Sequence, residues 1–258
     1  MNRISGKLIL ITGASSGIGA ACARRFAADG ARLALWARRR DRLEQLASEL
    51  DQGRRNGARI AAVDVRDRAA VNRAATELVA AGQVPDVLVN NAGLASGLAK
   101  LQEGDPDDWD RMIDTNLKGL LNVTRAILPP MIARRRGHVV NIGSTAGHLT
   151  YPMGNVYNAT KFGVQALTEG MNLDLAGTPL RVSAVDPGMV ETEFSEVRFH
   201  GDRQRAKAVY QGFQPLTPDD VADAVAYVVN LPEHVNVLDL IIVPTAQRNV
   251  YVVDRDAP

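Results

Sequence analysis

Cysteine is nearly absent from this chain of 258 residues, which also has two tryptophans and four histidines. The lone Cys22 has no partner for an intramolecular disulfide, and it reads as a small buried residue on the first helix. No His or Asn pattern around it marks a thiol nucleophile. His138, His148, His200 and His234 lack metal-ligand spacing, so no metal site is expected. Net charge is also missing: 30 basic residues against 29 acidic ones leave +1, which gives no global field to hold nucleic acid or an anionic membrane. Long apolar runs are lacking too, none approaching the roughly 18 residues of a membrane helix. The opening Met-Asn-Arg-Ile-Ser-Gly-Lys enters a short apolar run without a leader-like core, so a cytoplasmic location is expected. No linker, repeat or low-complexity stretch divides the chain, and one domain over 1–258 is expected.

What the chain does have is an ordinary apolar fraction, 46%, arranged in alternation. Short aliphatic runs at Leu8 to Ile11, Arg32 to Trp36, Arg59 to Val63, Val87 to Asn90, His138 to Ile142, Arg181 to Val185 and Val237 to Ile242 predict strands. They are apolar nearly throughout, as parallel strands covered on both faces are. Between them, helical spacing predicts helices over Gly17 to Asp29, Arg40 to Asp51, Asp67 to Ala81, Pro106 to Ala133, Val156 to Ala176 and Pro218 to Asn230. Repeated βα units of this kind imply an α/β, doubly wound parallel sheet of about seven strands, the Rossmann fold. The stretch 190–217 has no clear periodicity and is rich in charge, which suits a lid over a substrate site.

Directly after the first strand stands Thr-Gly-Ala-Ser-Ser-Gly-Ile-Gly, Thr12 to Gly19, opening the first helix. A diphosphate must approach the backbone and meet N–H groups at a helix N-terminus, so bulk is excluded there. Gly13, Gly17 and Gly19 leave that room, Ser15 and Ser16 add hydroxyl donors, and Ile18 completes the turn. At the end of the second strand, an acid would serve a ribose with free hydroxyls and an arginine a 2′-phosphate. Trp36 and Ala37 occupy the acid's place, followed by Arg38 and Arg39, which favours NADP(H). The alternative is a solvated basic helix start, Arg38 to Arg40 with Arg42. That reading leaves positive charge opposing the helix dipole, a conflict that a bound phosphate relieves.

Further along come Asn90-Asn91-Ala92-Gly93, then Asn116, then Ser144, and then Tyr157-Asn158-Ala159-Thr160-Lys161. Tyr157 and Lys161, four apart, share one helix face. Proton transfer to or from an alkoxide needs an acid/base, and a tyrosine of ordinary pKa about 10 needs a nearby cation to serve. Ser144 would polarise a substrate carbonyl. Taken in order and at these spacings, the motifs resemble the short-chain dehydrogenase/reductase family along nearly the whole chain.

That resemblance implies Asn116, Ser144, Tyr157 and Lys161 as catalytic residues, with Lys161 also on the nicotinamide ribose and Asn116 holding a water in the proton path. It also implies cofactor contacts from Asp64 and Val65, from Asn91, Ala92 and Gly93, and from Pro187, Gly188, Val190 and Thr192. Family helices matching Pro106 to Ala133 and Val156 to Ala176 pair across a two-fold axis, which implies a homotetramer or homodimer. The second half is similar to the NADP-dependent 3-hydroxy acid dehydrogenase branch, whose substrates are small acids of the serine, L-allo-threonine and 3-hydroxypropionate type. Ser144, Tyr157 and Arg198 are then the expected substrate-binding residues, with Arg198 taking the carboxylate. A solvated arginine in the lid remains an alternative for Arg198. Tyr151 has no lysine four residues later and is expected at most to line the pocket, with His148 and His200 at its rim. Other carbonyl substrates, such as a 3-oxoacyl thioester or a neutral ketone, would use the same catalytic residues. A non-catalytic NADP(H) sensor would have no need of a proton relay.

Overall fold

The aliphatic runs pair edge to edge into one sheet of seven strands, parallel throughout. The computed structural model describes residues 2–51 and 57–255; the rest of the expected 1–258 domain lies outside the described residues. The strands are β1 (Leu8–Thr12), β2 (Arg32–Ala37), β3 (Arg59–Ala62), β4 (Val87–Asn90), β5 (His138–Ile142), β6 (Arg181–Pro187) and β7 (Asp239–Ile242). The helices are α1 (Gly17–Ala28), α2 (Arg40–Leu50), α3 (Arg68–Ala80), α4 (Pro106–Ile113), α5 (Leu120–Ala133), α6 (Asn155–Asp174), α7 (Phe194–Arg198), α8 (Arg203–Ala208) and α9 (Pro218–Asn230). None among the described residues is long and apolar enough to cross a membrane.

Alternation along β1 decides the two cores. Ile9 and Ile11 pack with Phe26 of α1, Leu43 of α2 and Val225 of α9 on one face. Leu8 and Leu10 pack with Val71 of α3 and Ile127 and Met131 of α5 on the other. A strand buried on both sides has no polar face, which is why these runs show no period of two.

The strand order is β3-β2-β1-β4-β5-β6-β7. The chain leaves β1 toward β2 and β3 on one side, then returns as β4 on the other. A crevice opens between the carboxyl ends of β1 and β4 at this switch point, and in open α/β sheets ligands bind there.

Several helix starts, though fewer than half, carry a side-chain cap. Asp67 accepts from two backbone N–H groups of α3, Asp105 caps α4, and Thr217 with Asp220 forms a capping box on α9. Ser16, at the N-cap of α1, makes no side-chain cap bond, so the N–H groups that open α1 receive none from it.

The span Pro106 to Ala133 is not one regular helix. Between α4 and α5 the chain widens into a π-helical turn, Asp114–Gly119. Asn116 is drawn there onto the backbone of Leu94, and Gly119 lies so near Val65 that a Cβ would sit 2.6 Å from its side chain. Such widened turns mark functional positions more often than chance. β7 begins at Asp239, two residues later than the apolar run suggests, and 190–217 contains two short helices, α7 and α8.

Candidate active site

A cavity of about 310 Å³ fills the crevice, its floor made by the glycine-rich turn. Gly13 has φ +65°, and a Cβ there would lie 2.9 Å from Asn91 Nδ2 and 3.0 Å from the Ala92 backbone. Only glycine suits both conditions. Asn91 Nδ2 in turn donates to the carbonyls of Thr12 and Gly13 at 2.9 and 3.3 Å, and Thr12 Oγ1 accepts from the N–H groups of Asn91 and Ala92 at 3.1 Å. The turn and the end of β4 are thus one hydrogen-bonded unit.

Gly13, Ser15, Ser16, Gly17 and Ile18 all line the cavity. Gly19 does not. A Cβ on it would meet Asn91 Nδ2 and the Gly13 carbonyl at 2.5 Å, so it serves the packing of α1 against the turn. At the far end stand Ala37, Arg38, Arg39, Asp64 and Val65, with Trp36 buried beneath the sheet. Arg39 spreads over the turn, its Nε 3.3 Å from Ser15 Oγ and its Nη2 2.6 Å from Ser16 Oγ. Arg66 chelates Asp64 at 3.0 and 2.6 Å and holds its carboxyl below the usual carboxylate range. Asn91, Ala92 and Gly93 form one wall, and Pro187, Gly188, Val190 and Thr192 the other.

At the opposite end of the cavity Ser144, Tyr157 and Lys161 converge. Ser144 stands two residues past β5, with its Oγ accepting from the Ala146 N–H at 3.1 Å. Tyr157 and Lys161, one turn apart on α6, are 8% and 7% exposed. The Lys161 ammonium donates to the Ile142 carbonyl at 2.9 Å and stands 5.9 Å from the Tyr157 ring centre. Burial lowers Lys161 from 10.5 to about 8, against an opposing pull from the Asp186 carboxylate. Burial is also the largest influence on Tyr157 and pushes its phenol up, while the Arg198 guanidinium and the Ser144 hydroxyl pull it back. Its net direction is upward, whereas the Tyr-x-x-x-Lys spacing alone points to a lysine-depressed phenol.

Asn116 lies behind this wall, 3% exposed. Its Oδ1 accepts from the Leu94 N–H at 2.9 Å, and its Nδ2 donates to the Leu94 carbonyl and to Thr160 Oγ1 at 2.8 and 3.0 Å. It clamps the strand end after β4 to the residue next to Lys161.

Arg198, at the end of α7, lines a smaller neighbouring cavity of about 40 Å³, whose wall it shares with Tyr157. Its guanidinium bonds the Tyr151 hydroxyl and lies 5.5 Å over the Tyr151 ring, 5.2 Å over Tyr157 and 5.7 Å over Phe194. Its Nε is buried with no partner among the described residues. Tyr151 lines neither cavity. His148 bonds Asp186, beside Gln165 and Asp239, and His200 bonds Asp108, a residue of the smaller cavity, at 3.2 Å; neither histidine lines the main cavity. Burial, and after it the neighbouring Asp239 carboxylate, push the Asp186 carboxyl up.

Three residues of the site carry no signal in the sequence. Glu193 lines the cavity and pairs with Arg39 and Arg42. Phe194 meets Tyr157 edge-on at 5.6 Å. Gln247 accepts from the Met189 N–H at 2.9 Å and props the loop after β6.

A model of the short chain dehydrogenase family matches residues 7–203. The chain belongs to this family. It is 45% identical over 241 residues to the NADP-dependent 3-hydroxy acid dehydrogenase YdfG of Escherichia coli strain K12, covering 93% of this chain and 96% of that one. Sulfoacetaldehyde reductase 2 of Chromohalobacter salexigens is 48% identical over 251 residues, 96% and 99% of the two chains. Among solved structures, a closed form of serine dehydrogenase complexed with NADP+ superposes with a TM-score of 0.89 at 45% identity, covering 93% of this chain and 96% of that one.

Proposed function

We propose that this short-chain dehydrogenase is an NADP-dependent oxidoreductase that interconverts a small 3-hydroxy acid and its 3-oxo form. The observation that carries the reading is a single cavity with arginines at one end and Ser144, Tyr157 and Lys161 at the other. The residues present fit NADP(H). The turn excludes side chains, the α1 N-terminus has no side-chain cap, and Ala37, Arg38 and Arg39 stand where a ribose 2′-phosphate would lie.

When bound, NADP(H) supplies or accepts the hydride. In the reducing direction the Tyr157 phenol gives its proton to the carbonyl oxygen as charge develops there, and Ser144 Oγ hydrogen-bonds the same oxygen. The upward displacement of Tyr157 keeps it a phenol near neutral pH, the form this step needs. Oxidation runs the steps backwards, with Tyr157 taking the proton. Lys161 holds positive charge beside the phenol and recharges it, and Asn116 keeps the Leu94 loop and α6 in register. Arg198 receives the acid group of the substrate; its buried, unpartnered Nε beside Tyr157 supports that role.

We further propose one catalytic domain with 190–217 as its lid, acting in the cytoplasm as a homotetramer. Exposed Leu121, Ile132, Phe162 and Leu173 on and near α5 and α6 support the assembly. The sulfoacetaldehyde reductase relative supports a second reading, in which the acid group is a sulfonate.

NADP reduction is to be followed with serine, L-allo-threonine, 3-hydroxypropionate, 3-hydroxybutyrate, 2-hydroxyethanesulfonate and neutral secondary alcohols, with NAD in parallel. Selective turnover of the 3-hydroxy acids with NADP is expected. Turnover of the sulfonate alone selects the second reading, and turnover of neutral alcohols alone removes the acid substrate.

A further inference from the structure

Glu193 begins the α7 segment of the proposed lid, 154 positions from Arg39, yet its carboxylate reaches the adenosine end of the cavity. Oε2 accepts from Arg39 Nη1 at 3.0 Å, and Oε1 accepts from Arg42 Nη1. The other two nitrogens of Arg39 donate to Ser15 Oγ and Ser16 Oγ. Every nitrogen of this guanidinium is therefore engaged by the protein itself. Arg42 and Arg39 hold the Glu193 carboxyl below the usual carboxylate range, so it is an anion at neutral pH.

A ribose 2′-phosphate is also an anion, and it asks for the same guanidinium edges. We propose that Glu193 is a specificity-determining residue. Its carboxylate competes with the 2′-phosphate for Arg39, so that binding of the phosphorylated cofactor releases the start of the lid from the adenosine end of the site. A dinucleotide without the 2′-phosphate has no group to make the exchange and leaves the contact in place. The inference rests on Arg39 as a 2′-phosphate contact. Its geometric support is that one acid on the lid holds two cations from the end of β2 and the first turn of α2, while Thr192, next to it, lies 3.4 Å from where a Gly17 Cβ would stand.

Both partners of the pair are 41% exposed, so the competition is screened and its size is modest. Removing the charge should tighten phosphate binding about three- to tenfold, the range for one or two such contacts. The change E193Q keeps the shape of the side chain and one acceptor oxygen while removing the charge.

The test titrates 2′,5′-ADP and 5′-AMP by calorimetry into the full-length wild type, E193Q, R39Q and the double variant. Neither nucleotide carries a nicotinamide, so the readout is independent of turnover. E193Q is expected to bind 2′,5′-ADP about three- to tenfold more tightly with 5′-AMP within about twofold, and R39Q to lose the preference for 2′,5′-ADP. In the R39Q background the gain from E193Q should shrink. Trypsin cleavage after Arg203, Arg205 or Lys207 should be faster in E193Q, and should be accelerated by 2′,5′-ADP in the wild type only. If E193Q binds 2′,5′-ADP equally or less tightly while R39Q loses its preference, the competition is overturned and Arg39 keeps its assignment. If R39Q keeps the full preference, Arg39 is misassigned and the inference falls with it. Unchanged cleavage in E193Q refutes the release of the lid.

Discussion

Replacing Lys161 by methionine should abolish turnover and at the same time stabilise the fold, by an amount that depends on pH. The Lys161 ammonium is buried, with a carbonyl as its only hydrogen-bond partner among the described contacts, and its pKa falls from 10.5 to about 8. That fall is worth on the order of 3 kcal/mol at 25 °C. The sign follows from proton counting. Below about pH 8 the lysine is charged in both folded and unfolded chains, and the fold bears the full cost of the buried charge. Between about 8 and 10.5 the folded protein loses the proton first, so the unfolded chain binds more protons and stability rises with pH. Methionine has no charge and keeps most of the apolar stem. It loses the bond to the Ile142 carbonyl, at a cost of about 1 kcal/mol. A net gain of about 2 kcal/mol is expected near pH 6.5, or roughly 4–8 °C in Tm for a chain of this size. By about pH 9.5 most of the gain should be gone. Urea unfolding of wild type and K161M at intervals from pH 6.5 to 9.5, without cofactor, measures both quantities. A variant no more stable than wild type at pH 6.5, or an advantage that does not shrink with pH, would refute the reasoning.

The other expectations concern the reaction and the core. Tyr157→Phe should lower kcat by about 10²- to 10⁴-fold with NADP affinity nearly unchanged, read by steady-state kinetics and by quenching on cofactor addition. Arg38→Ala with Arg39→Ala should reduce the ratio of NADP to NAD in kcat/KM by at least about tenfold, since each guanidinium offers charge-assisted bonds to the phosphate; an unchanged ratio removes the 2′-phosphate assignment. Arg198→Ala should raise KM for acidic substrates far more than for neutral alcohols, and equal effects on both would end its role toward the acid group. Ile127→Ala, at a fully buried position between the sheet and α5, should cost about 2–5 kcal/mol in urea unfolding and leave the NADP preference intact.

Much of the site is legible because its geometry is local. Tyr157 and Lys161 share a face of α6 for the same reason that any residues four apart on a helix do. The turn from Thr12 to Gly19 must approach a ligand closely wherever it follows a strand and opens a helix, and the structure places Gly13 and Ser15 through Ile18 on the cavity wall. Gly19 is near in sequence but packs inward, because the first turn of α1 rotates it against Asn91. The widened turn at Asn116 has no local signal. Asn116 there is held by the Leu94 backbone, 22 positions earlier and just past β4.

By itself, then, the amino-acid order determined the alternating βα units, the glycine-rich turn, the Tyr-Lys pair and the arginines after β2. Each follows from backbone geometry over a few residues. The tertiary structure alone decided that Glu193 meets Arg39 and Arg42, that Arg198 lies over Tyr157 behind the main cavity, and that burial moves the pKa values of Tyr157 and Lys161. Those outcomes depend on which loops the strand order brings to one edge of the sheet and on how much water the packed helices exclude, and neither is written in any short stretch of chain.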